Sequence, residues 1–556
     1  MKRLAGAGAI AALAALGAAS PAAAAFDACT YDAPTRTVSA TLETSHDGTL
    51  SVGADGEIES DSTPCGAATT SNTDEVEITG TRQSDRVTID QSGPGGPFEK
   101  PGGSDEVHFD VDPGGQCETE VLDWCADDPQ MLKVIGTPGD DDIRAGGGRG
   151  LWVNLDAASD ADADIAWVPG AFAGRDKRRA FGPRPLRRPY YFDPPPSVEI
   201  DGGAGDDTLT GLGGSGAGDT AVTAILRGGP DDDHLVGGGE RDVLYPGAGD
   251  DAVDGSPSGT DLLSYADAPG GVTARLWHGD VARDGFGGRD RIDARHITTI
   301  RGSSHADRLE ADYFGGTILG GAGDDVVSGG PDHDTLDGED GNDRIEASWD
   351  RDHRSRGDTM HGGRGDDVLH GGTGPDDLNG GPGNDVLYGR AGKGPPIRHT
   401  LTFKGGDDLR GGTGDDVLIG GLDADRYYFP WPGGREKDTI VEKPGGGRDL
   451  IELAYYGQDS EGPDQIPTTI DLSSPGRWFA TSGPRTLRSR DRGGAANIEN
   501  VLVGAEGANR ITGNGSANAI QSGRGSDRID CRGGGDTVLA NPGDRLRNCE
   551  QVEEYR

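Results

Sequence analysis

Asp367, Asp376 and Asp385 stand nine residues apart in GGRGDDVLHGGTGPDDLNGGPGNDVLYG, the stretch from Gly362 to Gly389. Glycines fill the first, second and fourth places before each of them, and two places after each comes a leucine: Leu369, Leu378 and Leu387. Carboxylates carried to the same place in successive turns repel one another unless a cation lies between them. Glycine, with no Cβ, lets the backbone turn sharply at positive φ and leaves its carbonyls uncovered. Carboxylate and carbonyl oxygens together suit a hard cation. Calcium takes six to eight such ligands, whereas magnesium demands a tighter octahedron and keeps its waters. The chemistry this spacing offers is calcium binding in glycine-rich turns.

The elements that must position these oxygens follow from the same clock, G-G-x-G-x-D-x-U-x, where U is aliphatic. Nonamers run without a break in phase from Gly228 to Asp254, from Gly302 to Glu346, and from Thr402 to Tyr428, and a last set begins at Gly504. Isolated copies start at Gly136 and Gly202. Three residues, x-U-x, suffice for a very short strand, and strand alternation sends U to one face. Two nonamers then make one flattened coil. Stacked coils give two parallel sheets with one aliphatic side chain per nonamer between them. Burying that side chain is worth roughly 1.5–3 kcal/mol, against roughly 1–2 kcal/mol of backbone entropy for each ordered residue. The apolar core alone does not suffice, so the bound metal must supply stability.

These nonamers resemble the RTX (repeats-in-toxin) hemolysin-type calcium-binding repeats. The resemblance implies an all-β chain, a parallel β-roll or β-solenoid, with calcium held between coils by the aspartate side chain and carbonyls of the glycine region. Carried over residue by residue, it assigns the ligand role to the sixth position. Those residues are Asp141, Asp207, Asp233, Asp242, Asp251, Asp307, Asp325, Asp334, Asp343, Asp358, Asp367, Asp376, Asp385, Asp407, Asp416, Asp425, Asp527 and Asp536. Asn509 and Asn518 depart from the pattern; being neutral, they suit an amide ladder as well as a metal.

The whole chain fits this reading and narrows the classes of function. Its 556 residues include 98 Gly, only 32% are hydrophobic, and the formal net charge is −44, so without a cationic partner the composition leans toward disorder. The sign of the charge argues against nucleic acid. MKRLAGAGAIAALAALGAASPAAAAFDA has the basic start, apolar run and small-residue cleavage site of a secretory signal. The mature chain is then expected to begin near Phe26, with no transmembrane segment after signal removal. Six cysteines in an exported chain suggest disulfides. Cys29, Cys65, Cys117 and Cys125 lie near one end and Cys531 and Cys549 near the other, which favours local pairing, with Cys531 joined to Cys549 across one coil.

The segment GRDKRRAFGPRPLRRPYYFDPPP, from Gly174 to Pro196, is basic and Pro-rich and reads as a surface insertion. The expected division is a signal at 1–25 and a β-rich region with degenerate repeats at 26–173. The insertion at 174–197, the β-roll at 198–430, a β-rich spacer at 431–503, and C-terminal repeats with a disulfide cap at 504–556 follow. No HExxH or GxSxG occurs. Ser304-His305 occupies variable places of a nonamer, His361 and His370 recur at the outward final place, and the two Arg-Gly-Asp triplets arise from the repeat itself. The expectation is a secreted, extracellular, non-enzymatic calcium-binding protein with a structural or binding role at or beyond the cell surface. Alternatives are an adhesin or matrix protein recognising cells or glycans, and a calcium-dependent solenoid enzyme acting on acidic polysaccharide.

Overall fold

Each in-phase aliphatic residue between Gly362 and Gly389 lies in a short strand. Leu369 lies in Val368–His370, Leu378 in Asp377–Pro382 and Leu387 in Val386–Tyr388, and all three are fully buried. Val368–His370 pairs in parallel with Val386–Tyr388, while Asp377–Pro382 pairs with Thr359–His361 and Asp408–Thr413. Alternate nonamers therefore enter alternate sheets, and a residue meets its counterpart 18 positions on, as Val326 meets Arg344. The fold is a parallel β-roll. Its core is the single file Leu309, Val327, Ile345, Leu369, Leu387 and Leu418 from one sheet and Ile300, Ile318, Leu336, Met360, Leu378 and Leu409 from the other.

The computed structural model describes residues 26, 28–41, 47–60, 62–73, 75–79, 86–92, 94, 108–112, 131–135, 142–146, 151–154, 165–167, 197–211, 223–239, 241–255, 260–293, 296–312, 314–347, 357–389, 406–421, 424–429, 436–442, 447–453, 468–474, 478–482, 485–489, 494–504, 507–523 and 525–554. The signal-like segment, the basic insertion, Asp141, Cys117 and Cys125 lie outside them. No helix among the described residues is long and apolar enough to cross a membrane.

Two compact units emerge, Met1–Ile135 with Asp164–Pro196, and Gly136–Ala163 with Ser197–Arg556. In the first, Thr37–Thr41, Glu75–Thr79 and His108–Asp112 pair in parallel, as do Asp47–Val52, Arg86–Asp90 and Met131–Ile135. These six strands are five or six residues long, and five of them turn two side chains inward: Val38 and Ala40, Leu50 and Val52, Val76 and Ile78, Val87 and Ile89, Leu132 and Val134. That doubles the apolar content per strand relative to the nonamers. Cys29 and Cys65 are joined at a Cα separation of 4.9 Å.

The second unit contains the roll. Where the sequence loses the glycine clock, the sheets continue. Val417–Ile419 pairs with Lys437–Val441, Arg426–Phe429 with Leu450–Leu453, and Leu450–Leu453 with Asn500–Val503. Elsewhere antiparallel strands are inserted into the sheet itself: Thr273–Arg275, Asp280–Arg283 and Asp290–Asp293 form a meander between Ala252–Asp254 and Arg308–Glu310. At the C-terminus Cys531 and Cys549 are bonded, with Cα atoms 5.2 Å apart. In the nonamer between them the sequence register puts Arg545 at the aspartate place. The structure puts Asp544 there instead, accepting the Asp527 amide at 2.9 Å, because this coil is one residue short. The slip leaves the sulfurs within reach.

An end coil has a neighbour on one side only, so its disulfide should matter most locally. Replacing Cys531 and Cys549 by Ser is expected to cost up to about 3 kcal/mol for a loop of this size. Amide hydrogen exchange should accelerate in residues 507–554 and stay unchanged in 317–389; uniform acceleration across both would contradict a local staple.

Candidate metal centres

The turn before each x-U-x strand carries the aspartate inward. None of the described sixth-position aspartates is more than 7% exposed. They are stacked by a single repeated contact: the amide N–H of one aspartate donates to Oδ1 of the aspartate one coil on. On one edge of the roll this runs Asp207 to Asp233 to Asp251 and, further along, Asp307 to Asp325, Asp343, Asp367, Asp385 and Asp416, at 2.8–2.9 Å. On the other edge it joins Asp334 to Asp358, Asp376, Asp407 and Asp425, again at 2.8–2.9 Å. One carboxylate oxygen is thereby fixed by the backbone.

The second oxygen is what makes the column a site. In Asp233, Asp251, Asp325, Asp343, Asp367, Asp376, Asp385 and Asp416, Oδ2 is buried and accepts no hydrogen bond. A buried acceptor left so costs roughly 1–3 kcal/mol, more when charged. Its surroundings are oxygen as well. A Cβ built on Gly362 would collide with Asp367 Oδ2 and the Gly380 carbonyl, and one on Gly380 with Asp385 Oδ2 and Asp416's neighbour, the Gly411 carbonyl. At Gly362 and Gly380 the missing side chain matters because carboxylate and carbonyl oxygens converge on the space it would fill. An all-oxygen, negatively charged cradle fits a hard cation, and these residues fit calcium.

Some positions satisfy the second oxygen from the protein. Asp242, Asp307 and Asp334 accept a further amide on Oδ2, from Gly238, from Ser303 at 2.6 Å and from Gly330 at 2.6 Å. Asn518 donates Nδ2 to the Glu499 carbonyl at 2.8 Å, and Asn509 to the Ser522 carbonyl at 2.7 Å, so amides fit the column without a metal. Asp527 and Asp536 accept the amides of Asn509 and Asn518 at 2.7 and 2.8 Å.

The column is longer than the nonamer pattern. Asp261 follows Asp242, Asp290 follows Asp251, Asp438 follows Asp416 and Asp449 follows Asp425, at 2.9–3.3 Å. Each keeps the triplet Asp-x-U without the glycines: Asp261-Leu262-Leu263, Asp290-Arg291-Ile292, Asp438-Thr439-Ile440 and Asp449-Leu450-Ile451. A second, exposed ladder was also missed. At the fifth place on one edge, Asn342 N–H donates to Asp324, Asp366 to Asn342, Asn384 to Asp366 and Asp415 to Asn384, at 2.8–3.0 Å. Its signal is Asp or Asn at every second fifth place.

Other residues singled out in the sequence do not assemble. His361 and His370 lie in opposite sheets, His370 stacking on Tyr388 at 4.4 Å. Ser304 and His305 are exposed, 3.4 Å apart. Arg364 of the second Arg-Gly-Asp triplet faces Asp340 at 3.6 Å, and Asp366 is held in the outer ladder. Arg356 of the first lies outside the described residues.

Burial raises the column's carboxyl groups above the usual range: Asp233 and Asp385 to about 8, Asp325, Asp343 and Asp376 to about 7, Asp251, Asp367 and Asp416 to about 6. Neighbouring carboxylates such as Asp251 beside Asp233 add to the effect, and the amide donated by the preceding coil opposes it.

The family described as RTX calcium-binding nonapeptide repeat, in four copies, matches residues 199–216, 225–257, 314–353, 355–393, 402–429 and 499–529. A search of curated proteins finds no match.

A group whose folded pKa lies above its unfolded value favours the fold below the unfolded pKa, and that contribution is lost as pH rises through the folded pKa. For these aspartates the window runs from about 4 up to the values of about 6–8 given by burial. Metal-stripped protein should therefore gain β-structure by circular dichroism as pH is lowered from about 8 to about 5. Loss of β-structure over that range would show that the carboxylates are not buried as described.

Proposed function

On the premise that this chain carries multiple RTX calcium-binding nonapeptide repeats laid on a β-roll, we propose that it is a secreted protein whose roll folds on extracellular calcium and serves a structural or binding role at or beyond the cell surface. The observation that carries this reading is the buried aspartate column, whose second oxygens accept no hydrogen bond beside glycine carbonyls. Asp233, Asp251, Asp325, Asp343, Asp367, Asp376, Asp385 and Asp416 would hold the ions. Asp207, Asp358, Asp407, Asp425, Asp527 and Asp536 join them by position, and the sequence adds Asp141. Asp242, Asp307 and Asp334 have both oxygens engaged by amides and depend on the ion least. The bound ion would supply positive charge between coils and tie each coil to the next. The signal-like N-terminus and two disulfides support export to an oxidising compartment, where millimolar calcium is met.

Metal that binds only the folded state adds its binding free energy to folding. With an affinity near ~10⁻⁴ M per site, ~1 mM calcium adds about 1.4 kcal/mol for each site. Over a column of sites this offsets the thin core. Circular dichroism of the mature chain during a calcium titration should show a cooperative gain of β-structure, reversed by chelator. Equal β content with chelator and with millimolar calcium would refute the reading.

A paired substitution tests the register. Asp376→Ala removes a buried carboxylate that accepts the Asp358 amide, while the amide of residue 376 can still donate to Asp407. Asp377 is the next residue, but it faces outward toward Arg410 at 3.3 Å. Asp376→Ala should lower calcium stoichiometry and raise the calcium midpoint of folding. Asp377→Ala should cost no more than a surface ion pair, about 0–1 kcal/mol. Equal losses of stoichiometry would show that the column is misassigned.

A further inference from the structure

The two edges of the roll differ where the nonamers are interrupted after Tyr428. On one edge the column passes from Asp416 to Asp438, and a side-chain cation closes it. Arg485, buried, bonds Glu436, lies 3.2 Å from Asp438 and donates to the Gly412 carbonyl at 2.9 Å. The guanidinium takes up the carboxylate and glycine-carbonyl oxygens that a metal meets elsewhere.

On the other edge the column passes from Asp425 to Asp449, and carboxylates gather. A carboxylate oxygen from each of Asp425, Glu442 and Asp449 lies within 4.8 Å of the other two. Oxygens bound to one calcium at 2.3–2.6 Å can be at most roughly 4.6–5.2 Å apart, so the three can share an ion. Asp449 is fully buried; its Oδ1 accepts the Asp425 amide at 2.9 Å, and its Oδ2 accepts no hydrogen bond. The strongest charges acting on Asp449 besides Asp425 are those of Glu442 and Glu499, also negative. The oxygens are held in place. The Tyr427 hydroxyl donates to Glu442 and accepts the Gly420 amide at 3.0 Å, and a Cβ on Gly420 would collide with Asp425 Oδ2, Tyr427 Oη and Glu442 Oε1. Glu442 and Asp449 lie outside the matched repeats, which end at 429 and resume at 499.

We propose that Asp425, Glu442 and Asp449 form a calcium site of three side-chain carboxylates where the nonamers of this edge are interrupted, outside the nonapeptide pattern. With three carboxylates it differs from the repeat turns, which set aspartates among glycine carbonyls. An all-oxygen set without His or Cys favours a hard cation over zinc or copper. The three carboxylates suit calcium better than magnesium, which keeps several waters and uses one or two. The ion would do for this edge what Arg485 does for the other, joining the nonamer that ends at Tyr428 to the strands Lys437–Val441 and Leu450–Leu453.

The test uses the full secreted chain, with calcium alone and with terbium as a luminescent probe excited through tyrosine. Glu442→Gln should weaken one calcium site at least ~10-fold and reduce tyrosine-sensitised terbium emission, with β content in calcium retained. Wild-type calcium binding and terbium emission in Glu442→Gln would overturn the proposal and identify the cluster as carboxyls sharing protons. Asp376→Asn separates this from the repeat sites. If only Asp376→Asn loses calcium, the new site falls and the repeat reading stands; if only Glu442→Gln does, the reverse holds. Tyr427→Phe leaves all three carboxylates in place and guards against a Gln variant that does not fold. With the nearest sensitiser and the hydroxyl that holds Glu442 both removed, terbium emission and the affinity of one calcium site should both fall, and unchanged emission and affinity would overturn the proposal.

Discussion

The amide of one aspartate donating to Oδ1 of the aspartate in the next coil is the contact on which the rest of the roll depends. It fixes the stacking distance and the register of both edges together. It also turns every aspartate inward, with its second oxygen against glycine carbonyls. The glycines, the short strands and the single aliphatic residue then follow. A side chain at Gly362 or Gly380 would fill the oxygen cradle. A roll built this way has little apolar burial to spare. Its stability rests on what faces the second oxygen, in contrast to the N-terminal unit, where each of several strands buries two apolar side chains.

The repeating part of this design was legible in the sequence because it is local. Leu369, Leu378 and Leu387 stay in phase with Asp367, Asp376 and Asp385, and one period carries both the strand and the turn. The stacked sheets, the alternation of nonamers between them and the Cys531–Cys549 bond all follow from counting. What counting passed over was the column beyond the glycines. Asp261, Asp290, Asp438 and Asp449 keep only Asp-x-U, a triplet too common to stand out unless the sheet is known to continue through it. Asp544 was hidden by a coil one residue short. The outer ladder through Asp324, Asn342, Asp366 and Asn384 was hidden by its period, which is twice that of the nonamer. Arg485 and Glu442 were illegible for a different reason: each reaches the column across a distance in sequence that no repeat encodes.

The long columns of like charge are compatible with a folded chain because the second oxygen can be answered in several ways, and this protein uses more than one. A backbone amide answers it at Asp242, Asp307 and Asp334. At Asn509 and Asn518 the charge is absent and the amide donates outward. A guanidinium stands at Asp438. Along Asp325, Asp343, Asp367, Asp385 and Asp416 the protein offers no donor to Oδ2, and on the function proposed above calcium would supply the positive charge there. The need for metal is therefore uneven along one fold. It is greatest through the uninterrupted nonamers and least where amides or an arginine have taken the ion's place. Such a roll can keep its C-terminal coils, with Asn509, Asn518 and a disulfide, under conditions that release the ions from the middle. On the function proposed above, the C-terminal end would then act as a fixed template that sets the register in which the middle closes when calcium returns.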